Sequence, residues 1–296
     1  MTGHFLKYSV AMVTPFTAEG DFDESSVPEL TKYYIEQAKA PGLLISGTTG
    51  EQHCLTISER KKLYELVAKS SPEGYPLYAG VAAFKTKDAI ELAKAAEGVG
   101  CSGIMLGVPP YRVPSQRELI AYVTDVANAT KLPIFLYNNP NRNTVQVEPE
   151  SFVHLVKTVR NNNIYGIKET GVVANVEKIK RLLGEDLAKQ QSFFTGGDGS
   201  YVDLYKKHGF TGITSIAGAL FPEELISINQ HLQSGETEKA EQVMKALSPK
   251  IQLMQKAGFL QSLKYLLRQR GVPAGYCPAP LLDPTDKHKE LLKALV

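Results

Sequence analysis

The chain is predicted to fold as a (β/α)8 TIM barrel of the α/β class carrying a C-terminal helical extension. Three observations predict it. Short apolar runs alternate with longer amphipathic stretches as far as Ile216. The runs lack the period-two alternation of half-exposed strands, as expected for parallel strands covered on both faces. Beyond Ile216 the alternation stops and helical patterns alone remain.

Eight runs read as strands, in order 9–14 (SVAMVT), 42–46 (GLLIS), 77–81 (LYAGV), 103–106 (GIML), 134–137 (IFLY), 164–169 (IYGIKE), 193–195 (FFT) and 212–216 (GITSI). Seven helical patterns separate them, at 25–40, 58–70, 86–98, 115–129, 149–159, 174–183 and 199–208. Ser115 and Glu118 have capping-box spacing, whereas Ser58, followed by Lys61 and Lys62, is a weak cap. Right-handed crossovers between eight such strands close most economically as a barrel. An open doubly wound sheet is the rival, and the glycine-rich dinucleotide turn it requires is absent after the first strand.

After the barrel come helical patterns at 222–234, at 237–256 with Pro249 interrupting it, and at 259–270. A Pro- and Gly-rich connector follows at 271–284, then a last short helix at 286–296. The expected division is a barrel at 1–221 and a helical extension at 222–296 packed on it.

Composition narrows the function classes. With 43% hydrophobic and 22% charged residues the chain is neither disordered nor collagenous. A net charge of +2 supplies no field to recruit a polyanion, so nucleic acid is not an expected partner. Cys54, Cys101 and Cys277 are odd in number and lack CxxC spacing, which reads as reduced thiols. No signal or transit pattern is visible in 1–16, and no apolar stretch is long enough for a membrane span. The expectation is a soluble, cytoplasmic protein. His4, His53, His154, His208, His231 and His288 show neither HxH nor HExxH spacing, so no metal is expected. A Cys-His or GxSxG arrangement for acyl transfer is also missing.

A barrel of this kind works at the C-terminal ends of its strands. There the sequence offers Thr14, the turn Gly47-Thr48-Thr49-Gly50-Glu51, Tyr137, Lys168, Gly196-Gly197-Asp198, Thr214 and Ser215. Lys168 follows an apolar run into the interior, where desolvation disfavours an ammonium and leaves an amine able to attack a carbonyl. The simpler alternative is an ion pair with Glu169 or another carboxylate at the barrel mouth. Tyr137, one strand earlier, either relays protons beside that amine or packs its ring and wets its hydroxyl. The 47–51 turn is either a cradle for a small anion or only a strand-to-helix turn.

Taken together, GTTGE at 47–51, Tyr137-Asn138-Asn139-Pro140, Gly166-Ile167-Lys168-Glu169-Thr170, Gly196-Gly197-Asp198 and Gly212-Ile213-Thr214-Ser215 resemble, in order and spacing, the dihydrodipicolinate synthase and N-acetylneuraminate lyase family. The resemblance covers nearly the whole chain. It implies a homo-oligomeric barrel, dimer or tetramer, that binds pyruvate or another 2-keto acid as a Schiff base on Lys168 and adds it to, or cleaves it from, a small aldehyde. No cofactor beyond that covalent imine is implied. The candidate catalytic set is Lys168, Tyr137 as proton relay, Thr48 and Tyr111; the substrate-binding set is Thr48, Thr49, Arg142, Thr214 and Gly196.

Arg142 falls where the synthases carry an arginine for the carboxylate of aspartate semialdehyde, a bidentate clamp for an acidic substrate. Its alternative is a surface arginine on a polar loop. Two departures weaken the synthase reading. In Pro109-Pro110-Tyr111-Arg112 an arginine replaces the family's second tyrosine, which reaches the neighbouring subunit's relay, and a guanidinium does not shuttle protons near neutral pH. Thr144 stands where the family has glycine. Cleavage of a 2-keto-3-deoxy sugar acid, or its dehydration, is therefore a rival activity, and a catalytically silent barrel acting as a ligand sensor is a rival of another class. A phosphate-handling barrel is disfavoured because Asp198 repels phosphate.

Overall fold

A computed structural model describes residues 6–295 of the chain. Residues 1–5, on which the leader reading of 1–16 and His4 partly rest, and residue 296 of the last expected helix lie outside the described residues. Eight strands form a closed barrel in chain order. The residues group into two compact units, Pro76–Thr214 with 6–7, and Tyr8–Tyr75 with 215–295.

The first unit contains β3 (Leu77–Gly80), α3 (Thr86–Gly98), β4 (Gly103–Gly107), α4 (Gln116–Asn128), β5 (Ile134–Asn138), α5 (Pro140–Asn143), α6 (Pro149–Thr158) and β6 (Ile164–Glu169). It continues through α7 (Asn175–Leu183), α8 (Glu185–Lys189), β7 (Ser192–Thr195), α9 (Tyr201–His208) and β8 (Gly212–Ser215). The strands pair in parallel, and the register slips once, between Ile134 and Phe135 opposite β6. Its interior follows from a division of labour between alternate strands. Tyr78, Phe135 and Phe194, on β3, β5 and β7, stack edge to face with centroids 5.9 and 5.4 Å apart. Gly103, Gly166 and Gly212, on β4, β6 and β8, make the room: a Cβ there would lie 3.3 Å from Tyr78, 3.0 Å from Phe135 and 2.9 Å from Phe194.

The expected capping box is present at the start of α4, where the Ser115 hydroxyl accepts from Glu118 N and the Glu118 carboxylate accepts from Ser115 N. Short α5 and α8 were not expected, since helices of four and five residues carry too little periodicity to register.

The second unit holds β1 (Tyr8–Ala11), α1 (Val27–Lys32), β2 (Leu43–Ile45), α2 (Ile57–Ser70), α10 (Pro222–Gln233), α11 (Thr237–Lys256), α12 (Phe259–Gln269) and α13 (Asp286–Leu292). β1 stops at Ala11, so Thr14 lies past the strand end instead of closing it. The pattern at 25–40 is three pieces: a 3-10 turn at Glu24–Ser26, α1, and a π-helical segment at Tyr33–Gln37. The wide turn accompanies two tethered neighbours, Tyr33 donating to Ala219 O at 2.8 Å and Tyr34 accepting from Val13 N at 3.3 Å.

The cap of α2 is Thr56 with Glu59, not Ser58, because a capping box satisfies two backbone donors at once. Pro249 does not interrupt α11. It is exposed, and the carbonyl it deprives of a donor belongs to exposed Lys245, within reach of water. The connector at 271–284 has no regular secondary structure but is ordered by side chains: Lys264 Nζ donates to Tyr276 O at 2.7 Å, Arg268 Nη1 to Gly275 O at 2.6 Å, and Arg268 pairs with Asp283. Among the described residues no helix is long and apolar enough to cross a membrane.

Candidate active site

Alternation along β6 decides what Lys168 faces. Side chains on a strand point to opposite faces in turn, so Gly166 and Lys168 share the interior with Phe135 and Tyr137, while Glu169 faces the helix layer with Asn138. Lys168 is only 8% exposed, lies opposite Tyr137 on β5 and Phe194 on β7, and holds its Nζ 5.1 Å from the Tyr137 ring centroid. Burial pulls the amine below the ordinary lysine range, with Tyr137 and Asp198 acting in the opposite direction. Among the described residues Lys168 has no ion pair.

The floor beside the amine is Gly196, where a Cβ would come within 2.6 Å of Lys168 Cε and 3.1 Å of Nζ. The Tyr137 hydroxyl accepts from Asn139 Nδ2 at 2.7 Å. Thr214 is buried on β8, and Asp198 is buried at the start of a 3-10 turn after β7.

An ion pair of Lys168 with Glu169 does not form, because Glu169 is committed on the other face. Its carboxylate accepts from Asn138 Nδ2 at 2.6 Å, Gly171 N at 2.7 Å and Gln146 Nε2 at 3.4 Å. Burial raises its pKa, and those donors oppose the rise. Asn138 also accepts from Val147 N at 2.9 Å, and its carbonyl accepts from Thr170 N and Oγ1, both at 2.9 Å. This network binds the ends of β5 and β6 in the register that sets Tyr137 beside Lys168. The sequence reasoning missed it. The signal was available: Tyr137-Asn138 and Lys168-Glu169 each put a polar residue on the outward face of a doubly covered strand, and such residues need each other.

In the second unit the turn after β2 is strained at both ends. Ser46 and Glu51 adopt φ of +51° and +50°, conformations L residues rarely take. Ser46 Oγ accepts from Arg60 Nε at 3.0 Å, and Arg60 Nη2 donates to Gln52 at 2.9 Å. Gly50 has no room for a side chain, since a Cβ would lie 3.1 Å from Ser46 N and 3.2 Å from Met12 O, and its carbonyl accepts from Thr14 Oγ1 at 2.7 Å. Between these anchors Thr48 is half-buried and Thr49 buried. Backbone strain held by its surroundings is characteristic of binding turns.

Arg142 is exposed on α5, directly after the end of β5. The turn is anchored by buried Asn143, whose Nδ2 donates to Tyr137 O at 3.1 Å. Thr144 has φ +62°, which accounts for a glycine preference at this position. Tyr111 has φ +75° and is 90% exposed, with exposed Arg112 beside it. Among the described residues no three His, Cys, Asp or Glu side chains are grouped to hold a metal ion.

Comparison with known proteins identifies the family and the fold. The model of the dihydrodipicolinate synthetase family matches residues 4–296. The 4-hydroxy-tetrahydrodipicolinate synthase of Desulforamulus reducens is 32% identical over 300 residues, covering 100% of this chain and 97% of that protein. The fold superimposes on dihydrodipicolinate synthase from Aquifex aeolicus with a TM-score of 0.90 at 25% identity, covering 98% of this chain and 97% of the other. N-acetylneuraminate lyase from Mycoplasma synoviae shares the fold, with a TM-score of 0.84 at 24% identity over 97% of this chain and 96% of its own.

Proposed function

The chain belongs to the dihydrodipicolinate synthetase family, and on that premise we propose that it is a pyruvate-dependent class I carbon–carbon lyase in which Lys168 is the imine-forming nucleophile. The observation that carries the proposal is the buried, unpaired Lys168 amine against the Tyr137 ring, held below its ordinary pKa by desolvation. The neutral amine attacks C2 of the keto acid and forms a C–N bond. The carbinolamine then loses water, its hydroxyl leaving with a proton supplied through Tyr137. The iminium draws electrons from the adjacent methyl group, which gives up a proton to form an enamine, and the enamine carbon bonds to an aldehyde. The cleavage direction reverses these steps.

Thr48 and Thr49 are assigned to the keto-acid carboxylate, and Thr214 and Gly196 to substrate binding. Arg142 is assigned to an acidic aldehyde such as aspartate semialdehyde, which makes synthase-like condensation the first reading. Arg112 in place of a tyrosine favours a second reading, cleavage of a keto-deoxy sugar acid, whose hydroxyls a guanidinium can bind. The family relationship supports a homodimer or homotetramer, as does a 90% exposed Tyr111 on the loop after β4. Tyr111 keeps the place of the family's first tyrosine, and Arg112 stands where the second would reach a neighbouring subunit's relay. A cytoplasmic setting is supported by three free cysteines.

The test is borohydride reduction in the presence of pyruvate, read by intact and peptide mass spectrometry. A pyruvyl adduct on Lys168 that is absent from Lys168→Ala is expected; no adduct, or one on another lysine, overturns the mechanism. Aspartate semialdehyde consumption against keto-deoxy sugar-acid cleavage then separates the two substrate readings. Arg142→Ala should raise KM for the aldehyde and leave KM for pyruvate unchanged.

A further inference from the structure

Far along the chain from the turn after β2, α12 carries Lys264, a lysine as fully buried as Glu51: both side chains are 0% exposed, and they form an ion pair. Resting on the assignment of Thr48 and Thr49 to the substrate carboxylate, we propose that Lys264 and Glu51 are positioning residues through which the C-terminal helical part fixes the shape of the carboxylate-binding turn.

Three observations carry this. Glu51 holds φ +50° without being a glycine, so its backbone is kept there by its surroundings. The surroundings are elaborate. Lys264 donates to Tyr276 O at 2.7 Å and lies 4.9 Å from the Phe16 ring centroid. Burial pushes the Cys277 pKa up to about 12, so Cys277 is a neutral thiol rather than a reactive thiolate. Finally, Glu51 is wired into the turn: its N–H donates to Thr48 O at 3.0 Å and that of Gln52 to Gly47 O at 3.3 Å. A displacement of Glu51 therefore passes directly into Thr48.

A fold seeking only stability gains little here, since a buried ion pair is frequently matched by well-packed apolar residues. What an apolar pair does not supply is a directional tether on a strained backbone. Lys264 is also unsuited to act as a second imine nucleophile, because it is enclosed and held by Glu51 in an ion pair.

The experiment removes both charges together, because Lys264→Met alone leaves Glu51 buried without its counter-charge. In Glu51→Gln/Lys264→Met the concentration of pyruvate giving half-maximal borohydride trapping on Lys168 is expected to rise about 10- to 100-fold, the effect of a misplacement on the order of 1 Å, while the limiting trapping rate is kept. Trapping of acetaldehyde, which forms an imine but has no carboxylate, is expected to be unchanged. Should that variant melt below the assay temperature, Glu51→Gly/Lys264→Met carries the same expectation, since glycine relieves the backbone strain but supplies no tether to hold the turn in one conformation. An unchanged half-saturation for pyruvate, or an equal loss for pyruvate and acetaldehyde, overturns the positioning role. Failure of the unmutated protein to trap pyruvate overturns the carboxylate-site reading and this inference with it.

Discussion

Gly196→Ala isolates the position of the Lys168 amine from every other property of the site. The added Cβ would stand 2.6 Å from Lys168 Cε, 3.1 Å from Nζ and 3.3 Å from Thr170 Cγ2. Ordinary carbon–carbon contact is about 3.5–4.0 Å, so the lysine terminus must retreat by about 1 Å. A shift of that size costs on the order of 100-fold in a step that depends on near-attack geometry, equivalent to about 2.7 kcal/mol. Stability should move the other way. Gly196 does not adopt a left-handed φ, so alanine fits the backbone and lowers unfolded-state entropy by about 0.4–1 kcal/mol. The assay is the initial rate of borohydride-trapped adduct at saturating pyruvate, paired with urea unfolding. A wild-type trapping rate would refute the reasoning. Parallel losses of rate and stability would refute it differently, by showing that β7 moves instead of the amine.

Three further expectations follow from the two faces of β6 and from the loop after β5. Lys168→Met should stabilise the protein by about 1 kcal/mol at neutral pH, in line with the gains available where function costs stability. Because the folded-state pKa of Lys168 is below the unfolded value of 10.5, the unfolded chain binds more protons between the two values. Wild-type stability therefore rises with pH through that window and the gap to Lys168→Met closes, as read from urea midpoints. The rate of imine formation should rise over the same limb as the amine deprotonates. Asn138→Asp sets a carboxylate against Glu169 where a 2.6 Å hydrogen bond now lies. It should cost about 3–5 kcal/mol at neutral pH, as an uncompensated buried charge does. Stability should be regained as pH falls and the pair takes up a shared proton; a pH-independent loss in thermal melts would count against this. Thr144→Gly should stabilise by about 1 kcal/mol in denaturant midpoints, since a left-handed conformation costs an L residue on the order of 1–2 kcal/mol and the Thr144 hydroxyl reaches only Asn143 O, at 2.6 Å; an unchanged or lower midpoint would argue that the position is unstrained.

The strands and most helices were legible in the sequence because each rests on a local pattern, whereas the candidate site residues were assigned through motifs that resemble a family. β6 spans Ile164–Glu169 as read, and the Ser115–Glu118 box stands where its spacing placed it. The GTTGE, YNNP and GIKET motifs sit at the ends of β2, β5 and β6. Strand alternation even implied that Lys168 and Glu169 point apart, so their pairing could have been set aside.

Tertiary structure decided what fills each polar group's hydrogen bonds. No local pattern reveals that Gly196 floors the amine or that Glu51 is paired by Lys264 on α12. The same holds for the left-handed backbone at Ser46, Glu51 and Thr144, which none of these residue types favours on its own. Propensity and periodicity arise from sterics between near neighbours in the chain and so are written locally. Strain and buried polar pairing persist only where distant segments jointly enforce them, and that information exists only once the chain has closed on itself.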